Sequence, residues 1–194
     1  MQESSVKGGF KMTKRVSVFL ADGFEEIEGL TVVDLLRRAG VEVTTVSITE
    51  KLTIHGAHKI DVQADKLFNE VDYQKEDMVV LPGGMPGTLN LGAHEGVKEV
   101  LEQFYEAKKY IGAICAAPSV LGKYGILEGR KATSYPGFEA ELKGAEYVTE
   151  PVAVSDFMIT SRGLGTAIDF ALTLIGVLVS EEKAKEISRS IIYR

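Results

Sequence analysis

Residues 110–118 read Tyr-Ile-Gly-Ala-Ile-Cys-Ala-Ala-Pro, and the rest of the chain can be placed around them. The apolar run ends at Cys115, the one cysteine among 194 residues. Small residues and Pro118 follow, and Val120 and Leu121 then resume a helical spacing. This pattern predicts a buried strand, a sharp turn and the first turn of a helix.

Cys115 is a candidate nucleophile because of its position at this turn. Unpartnered N–H groups point outward at the start of a helix, and their partial positive charge favours a thiolate over a thiol. Because the thiolate is the nucleophilic form, we expect a reactive cysteine with a lowered pKa. The alternative is that Cys115 is a small buried apolar residue, the common role of a lone cysteine.

Strands and helices alternate on either side of this turn. β-Branched and apolar runs predict strands at 15–20, 41–48, 77–81, 131–134, 148–154 and 158–160, and a hairpin or a pair of short edge strands within 51–64. Helical spacings predict helices at 24–39, 92–107, 138–142, 166–178 and 181–192. In the first of these helices the predicted buried stripe is Ile27, Leu30, Val33 and Leu36, widened by Val32, Leu35 and Ala39.

This alternation is typical of an α/β protein. It predicts a flavodoxin-like parallel sheet sandwiched by helices, with central strands near Val18, Val43, Val80 and Ile114. Ligands of such sheets bind beyond the carboxyl ends of the strands. Three loops are therefore expected to meet in space: 22–28, 82–87 and 115–118.

The three loops carry groups that could act together with Cys115. Gly83, Gly84 and the N–H of Ala116 could donate backbone hydrogen bonds to an oxyanion. One of the three acids at 25, 26 and 28 could reach the thiol, since a protonated carboxyl can donate to a thiolate and carry a proton. Two alternatives stay open: the acids decorate a solvated helix start, and the Pro-Gly-Gly loop is only a tight turn.

Length and composition bound the class of protein. The chain is long enough for one domain with a sizeable core, which we expect over 14–194, after an N-terminal extension or cloning remnant at 1–13. A net charge of -6 and a pI near 5.2 argue against nucleic acid or an anionic membrane as the main partner. The start has no apolar segment typical of a secretory signal, and no run is long enough to span a membrane. The lone cysteine fits a reducing cytoplasm.

The histidines do not indicate a metal site. His55 and His58 flank the predicted hairpin turn and His94 lies near a helix start, none with another ligand at a metal-binding spacing. The 82–87 loop lacks the Gly-Lys-Ser/Thr ending of a phosphate-binding loop. We therefore expect neither a metal nor a cofactor.

Four motifs in order carry a family resemblance. They are Ala-Asp-Gly-Phe-Glu-Glu-Ile-Glu at 21–28, Val-Val-Leu-Pro-Gly-Gly at 79–84, Ala-Ile-Cys-Ala-Ala-Pro at 113–118 and Thr-Ser-Arg-Gly-Leu-Gly-Thr at 160–166. The set resembles the ThiJ/PfpI superfamily, in the DJ-one-like branch that holds the Parkinson-disease protein deglycase. The resemblance spans about 14–192. It implies a flavodoxin-like homodimer with a strained nucleophile elbow.

The resemblance also assigns expected roles to residues. Cys115 and Glu28 would be catalytic, with Glu28 hydrogen-bonded to the cysteine and lowering its pKa. Gly84 and Ala116 would match the oxyanion donors of the family. The remaining expected site residues are Gly83 and Tyr135 at the oxyanion or substrate, with Glu25, Arg38 and Pro118 in support.

Two departures from the family pattern argue against strong glyoxalase turnover. Members with good activity often carry His before the proline that matches Pro136, where this chain has Tyr135. A phenol carries protons poorly at neutral pH, since its reference pKa is about 10. An arginine that reaches in from the partner's hairpin in some members corresponds to His58 here.

The resemblance implies several activities. The first is a cofactor-free enzyme of the glyoxalase III or deglycase type, a hydro-lyase or hydrolase acting on small reactive carbonyls or glycated groups in stress. The alternative is a redox sensor or chaperone that works through oxidation of Cys115. Relatives were formerly described as thiazole-monophosphate biosynthesis proteins. Peptidase and glutamine amidotransferase chemistry are disfavoured, since Ala116 replaces the protease-like histidine and the Gly-x-Cys-x-Gly pattern is missing.

Overall fold

The structure is a computed structural model that describes residues 13–193. The extension predicted at 1–13 lies outside these residues, apart from Thr13. Among the described residues, no helix has both the length and the apolar character needed to cross a bilayer.

The strands and helices of the described residues follow one another as expected for an α/β chain. In order they are β1 (Arg15–Leu20), α1 (Glu26–Arg38), β2 (Glu42–Ser47), β3 (Thr53–His55), β4 (Asp61–Gln63), β5 (Lys66–Leu67), β6 (Met78–Leu81), α2 (Gly87–Ala93), α3 (Glu95–Glu106), β7 (Tyr110–Ile114), α4 (Pro118–Lys123), β8 (Lys131–Ala132), β9 (Glu146–Tyr147), β10 (Val152–Ser155), β11 (Met158–Ser161), α5 (Ala167–Leu178) and α6 (Glu181–Ser190). Single 3₁₀ turns occur at Phe68–Glu70, Tyr73–Lys75, Glu139–Glu141 and Leu164–Thr166.

A seven-stranded sheet organises these elements. Its order is β10-β11-β7-β6-β1-β2-β5, and every pair is parallel except the edge pair β10–β11. The β3–β4 hairpin and the β8–β9 pair lie outside it as separate two-stranded ribbons. The predicted flavodoxin-like sheet covered by helices is confirmed, and so is the hairpin.

Helices cover both faces of the sheet because side chains alternate along each strand. In β1, Val16, Val18 and Leu20 pack into a cluster with apolar residues of α1, α5 and α6. Phe19 points to the opposite face and joins the cluster formed by α3, α4 and neighbouring segments. The three predicted loops emerge at the carboxyl ends of the parallel strands, at one edge of the sheet.

The helix predicted at 92–107 is two helices. α2 begins at Gly87, inside the predicted glycine loop, and α3 begins at Glu95. The break falls at His94, whose backbone is extended and whose Nδ1 accepts a hydrogen bond from the Val97 N–H at 3.1 Å. A side chain that caps the next helix in this way ends the preceding one.

Other boundaries differ in length. The strand predicted at 148–154 begins only at Val152, after Pro151, and the strand predicted at 131–134 covers two residues. The helix predicted at 138–142 is a single 3₁₀ turn, and the two-residue edge strand β5 was not predicted. All of these elements are short, so periodicity alone places them poorly.

The buried face of α1 differs from the predicted stripe near its start. Ile27 is 49% exposed and Leu30 36% exposed, although both were expected to face the core. The other five predicted residues are buried together with Glu28: Val32, Val33, Leu35, Leu36 and Ala39. This phase turns the Glu28 carboxyl toward the sheet instead of toward solvent.

Candidate active site

Cys115 lies at a sharp corner between β7 and α4. Its φ is +66°, a left-handed conformation that is rare outside glycine. Hydrogen bonds fix the corner on both sides: the Cys115 N–H donates to the Ser161 carbonyl at 2.9 Å, and the Tyr135 N–H donates to the Cys115 carbonyl at 2.8 Å. A cysteine held in such a strained, well-supported conformation is typical of a functional position.

Glu28 lies against this corner from α1. Its carboxyl is only 1% exposed, and Oε2 accepts a hydrogen bond from the Gly83 N–H at 2.9 Å. Its other oxygen, Oε1, is buried and has no hydrogen-bond partner among the described residues. A buried carboxyl oxygen without a partner is costly, so it points to a group that binds there or to a proton that it exchanges.

The glycine loop fits tightly between the carboxyl and the cysteine. A Cβ atom added at Gly83 would lie 2.5 Å from the Cys115 Cβ and 2.7 Å from Glu28 Oε2. Gly84 has a φ of +91°, and a Cβ there would lie 2.3 Å from the Glu25 backbone nitrogen. Only glycine satisfies both positions, because each is in direct contact with neighbouring atoms and Gly84 also needs the left-handed region.

Two of the three backbone donors expected at the oxyanion position, Gly84 and Ala116, face the sulfur. The third, the Gly83 N–H, donates to Glu28 Oε2 instead, so the prediction for that donor is wrong. Hydrogen bonds from the N–H groups of Gly84 and Ala116 lower the pKa of the Cys115 thiol. The same two groups can stabilise negative charge on an oxygen that replaces or adjoins the sulfur. The prediction that 82–87 and 115–118 meet is therefore confirmed.

The pKa of Cys115 shifts opposite to the direction predicted from the helix start, and Glu28, which the family resemblance implied would lower this pKa, raises it. Burial of the sulfur raises the pKa to about 12, and the Glu28 charge and hydrogen bond add to that rise. α4 has only six residues, so its dipole is small, and the two N–H groups do not outweigh burial beside a carboxylate. Burial likewise raises the pKa of Glu28 to about 7, against opposing hydrogen bonds from Cys115 and Gly83.

Glu28 and Cys115 consequently form a pair that shares a proton above neutral pH. Two arrangements have the same net charge: a thiol beside a carboxylate, and a thiolate beside a carboxylic acid. Burial of the sulfur favours the first arrangement, and the N–H groups of Gly84 and Ala116 favour the second. In both, Glu28 is the partner that exchanges the sulfur's proton, and a pKa near 7 suits that task.

Tyr135 lies at the open side of the site. Its side chain is 52% exposed, and its Cδ2 atom would be 3.3 Å from a Cβ added at Gly163. The same added Cβ would lie 3.8 Å from Glu28 Oε1. Gly163 therefore separates the tyrosine ring from the unpartnered carboxyl oxygen. The 160–166 motif contained Gly163, but its place beside Glu28 was not foreseen.

The three predicted supporting residues differ in their position relative to the site. Pro118 is buried at the first position of α4, where its ring suits a helix start. The charge of Glu25 adds to the raised pKa of Glu28. Arg38 does not join the site: it lies ten residues after Glu28, about 15 Å along α1, and its Nε forms an ion pair with Asp34 at 2.7 Å.

Glu26 and His58 form a second cluster, which was not predicted from the sequence. Glu26 is 2% exposed, and its Oε2 lies 2.9 Å from His58 Nδ1, with Glu25 Oε2 at 3.5 Å from the same nitrogen. Ligand-type atoms of these three residues lie within 4.8 Å of one another. The contact joins residues 32 apart in sequence, which spacing could not reveal.

Comparison with known proteins identifies relatives along almost the whole chain. Protein dj-1beta of Drosophila melanogaster is 37% identical over 183 residues, covering 93% of this chain and 98% of that protein. A relative from Schizosaccharomyces pombe named glutathione-independent glyoxalase DJ-1 is 29% identical, covering 91% of this chain and 97% of its own. Protein DJ-1 homolog A of Arabidopsis thaliana is 36% identical, but this chain spans only 47% of its length, and 43% of that of homolog B.

Solved structures and a family model agree with these relatives. The oxidised DJ-1 of Toxoplasma gondii superposes with a TM-score of 0.90 at 37% identity, covering 93% of this chain and 99% of that one. The model of the DJ-1/PfpI family matches residues 14–176, which include every residue of the Glu28–Cys115 site. The chain therefore belongs to the DJ-1/PfpI family.

Proposed function

We propose that this protein is a cysteine-dependent enzyme of the stress response that acts on reactive aldehydes or glycated groups, as glyoxalase III and deglycase enzymes do. The observation that carries the proposal is the unpartnered Oε1 of Glu28, buried beside a thiol at a strained corner. A carboxyl with a pKa near 7 in that position can take a proton and return it. The name of the S. pombe relative supports the same chemistry.

The site can convert a 2-oxoaldehyde such as methylglyoxal into a 2-hydroxy acid without a cofactor. The sulfur of Cys115 adds to the aldehyde carbon, and its proton passes to Glu28 or is already there. Glu28 gives this proton to the oxygen of the adduct, which completes the hemithioacetal and leaves Glu28 as a carboxylate. The N–H groups of Gly84 and Ala116 stabilise the negative oxygen. Glu28 then removes the proton from the aldehyde carbon and returns it to the adjacent carbon, which leaves a thioester. Water hydrolyses the thioester, so methylglyoxal plus water gives lactate and the free thiol.

Lactate formation from methylglyoxal tests this proposal. We expect the wild-type protein to form lactate and Cys115→Ala to form none, because the sulfur carries the covalent intermediate. Lactate at the wild-type rate from Cys115→Ala would refute the proposal. Deglycase activity is tested in parallel by the release of the free amine from a methylglyoxal adduct of N-acetyl-lysine, with the same variant as the control.

A second candidate function is redox sensing by Cys115, with or without chaperone activity. The observation that favours it is the half-buried sulfur lying beside two N–H donors and an unpartnered carboxyl oxygen. These groups could hold the oxygens of a sulfinate. Mild peroxide should then add two oxygen atoms to Cys115 alone, as measured by intact mass and peptide mapping. Such oxidation without any lactate formation would favour the sensor over the enzyme.

We further propose a cytoplasmic homodimer with no membrane or nucleic-acid partner. Ile27 and Leu30 on α1 and Ile60 on the hairpin are large apolar side chains exposed at 49%, 36% and 51%. Side chains of this kind on adjacent elements suit a contact with a second copy. Sedimentation should give a dimer for the wild type and a monomer for Ile27→Glu; a wild-type monomer would refute the homodimer.

A further inference from the structure

The β3–β4 hairpin is fastened to the start of α1 through a buried carboxylate. Glu26 accepts hydrogen bonds from the His58 N–H at 2.7 Å and from the His58 side chain at 2.9 Å. Burial alone would raise the pKa of Glu26, but these bonds and backbone N–H groups, including that of Ile60, hold it below its ordinary value. A Cβ at Gly56 would lie 2.2 Å from Glu26 Oε1, so the hairpin loop closes directly onto this carboxylate.

The same hairpin pairs with the backbone of the first active-site loop. The Gly23 N–H donates to the His55 carbonyl at 2.7 Å, and the Ala57 N–H donates to the Phe24 carbonyl at 2.8 Å. Asp22 Oδ1 accepts from the His55 N–H at 2.9 Å. Three contacts on one side of 22–24 and the Glu26 carboxylate just beyond it fix this loop on the hairpin.

The other side of this loop supports the glycines beside Cys115. The Glu25 N–H donates to the Gly83 carbonyl at 2.9 Å. Gly84 approaches so closely that its added Cβ would lie 2.3 Å from the Glu25 nitrogen and 2.6 Å from the Gly23 carbonyl oxygen. The position of the Gly84 N–H, which faces the sulfur, is therefore set by the backbone of 23–25.

We infer that Glu26 is a positioning residue. Through its hydrogen bonds with His58 it binds the hairpin loop, and it thereby holds segment 22–25 in the position at which the Gly84 N–H faces the Cys115 sulfur. Glu26 lies behind the glycine loop and acts through the backbone rather than on a substrate. The inference rests on the proposed chemistry of Cys115 but not on turnover, because the reactivity of the thiol reports it directly.

The test measures the rate of Cys115 alkylation by iodoacetamide from about pH 6 to about pH 10, on folded protein well below its melting temperature. The hydrogen bond from the Gly84 N–H favours the thiolate of Cys115. In Glu26→Ala the loop should shift and weaken this bond. We expect the midpoint of the profile to rise by about one pH unit, with about a tenfold lower rate near neutral pH. Glu26→Gln keeps an acceptor for the His58 N–H and should restore part of the rate.

Asp61→Ala is the matched control, because it breaks the exposed pair between His55 Nδ1 and Asp61 on the same hairpin, at 2.7 Å, without touching α1. Its profile should be that of the wild type. His58→Ala covers the case in which Glu26→Ala does not fold: it removes one exposed side chain and should move the midpoint in the same direction by less. An unchanged profile in a folded Glu26→Ala, or in His58→Ala when Glu26→Ala does not fold, would overturn the inference.

Turnover supplies a separate readout. If the wild type forms lactate, Glu26→Ala should lower kcat by about tenfold or more with a smaller change in KM, since displaced donors mainly weaken binding of the transition state. If the wild type forms no lactate from methylglyoxal, the proposed enzyme fails, whereas the alkylation profiles still decide the role of Glu26.

Discussion

Replacing Glu28 by glutamine should abolish the titration of Cys115 reactivity near neutral pH. In the wild type, the rate of alkylation should rise with an inflection close to pH 7, where the pair loses its first proton. This holds wherever the single remaining proton lies. If it is on Glu28, the sulfur is already a thiolate; if it is on the sulfur, the Glu28 carboxylate takes it as the sulfur attacks.

The size of the effect follows from the two pKa values of the pair. In Glu28→Gln the thiol titrates alone, without a neighbouring carboxylate but still buried, so its pKa should lie above the ordinary value of 9.0. At neutral pH the thiolate fraction is then at most about 1%. We expect the reactivity near pH 7 to fall by about tenfold to a hundredfold, and the inflection to move above pH 9.

The assay is the second-order rate of iodoacetamide alkylation of Cys115, followed by intact mass over the pH range. Glu25→Gln is the matched control: it removes a charge that raises the pKa of Glu28, so the inflection should remain and move slightly downward. Unfolded wild-type protein supplies the profile of an ordinary thiol. An inflection near pH 7 that persists in Glu28→Gln would refute a shared proton.

Three further outcomes follow from the site. The folded state keeps the Glu28 proton up to about pH 7, whereas the unfolded chain releases it near pH 4.5. The free energy of unfolding should therefore fall by about 3 kcal/mol between these two pH values, and Glu28→Gln should remove this decline in urea titrations. Gly83→Ala should lower the free energy of unfolding by about 2 kcal/mol or more and suppress alkylation, whereas Gly165→Ala, with open space around it, should change it by less than about 1 kcal/mol. Tyr135→His should raise kcat for lactate about tenfold, because imidazole carries protons near neutral pH, and Tyr135→Phe should not.

The elbow and the glycine loop could be predicted because their signals are local. An apolar run that stops at Cys115 before small residues and proline predicts a strand, a turn and a helix, and the structure places β7, the corner and α4 there. Parallel strands also bring their carboxyl ends to one edge, which is enough to bring Gly83, Gly84 and Ala116 together.

The orientation of α1 could not be predicted from apolar spacing alone. Ile27 and Leu30 fit a buried stripe as well as Val32 and Leu35 do, and hydrophobicity assigns all of them to the core. The structure exposes the first two and buries Glu28 in phase with Val32, Leu35 and Leu36. A carboxyl in line with a core stripe is the signal that would have singled out Glu28, but it can be read only when the phase of the helix is known.

The pKa of Cys115 could not be predicted from the sequence for a different reason. The start of a helix favours a thiolate, and that local effect is present in the N–H groups of Ala116 and Gly84. Burial and the nearby carboxylate act in the opposite direction, and both depend on the tertiary contact between Glu28 of α1 and the corner at Cys115. The hydrogen bonds between Glu26 and His58 were not predicted for the same reason, since they join a helix start to a hairpin loop.

Glu28→Gln also separates the two proposed functions, because they use the shared proton differently. The enzyme needs a carboxyl to carry a proton between carbons, which an amide cannot do at any pH, so lactate formation should fall by about a hundredfold or more throughout. Peroxide oxidation needs only the thiolate, so it should slow near neutral pH and recover as the pH rises further and the thiol ionises alone. Cys115→Ala supplies the blank for both assays. Lactate formation that recovers together with oxidation at high pH would show that Glu28 sets the ionisation of Cys115 and carries no proton of the substrate.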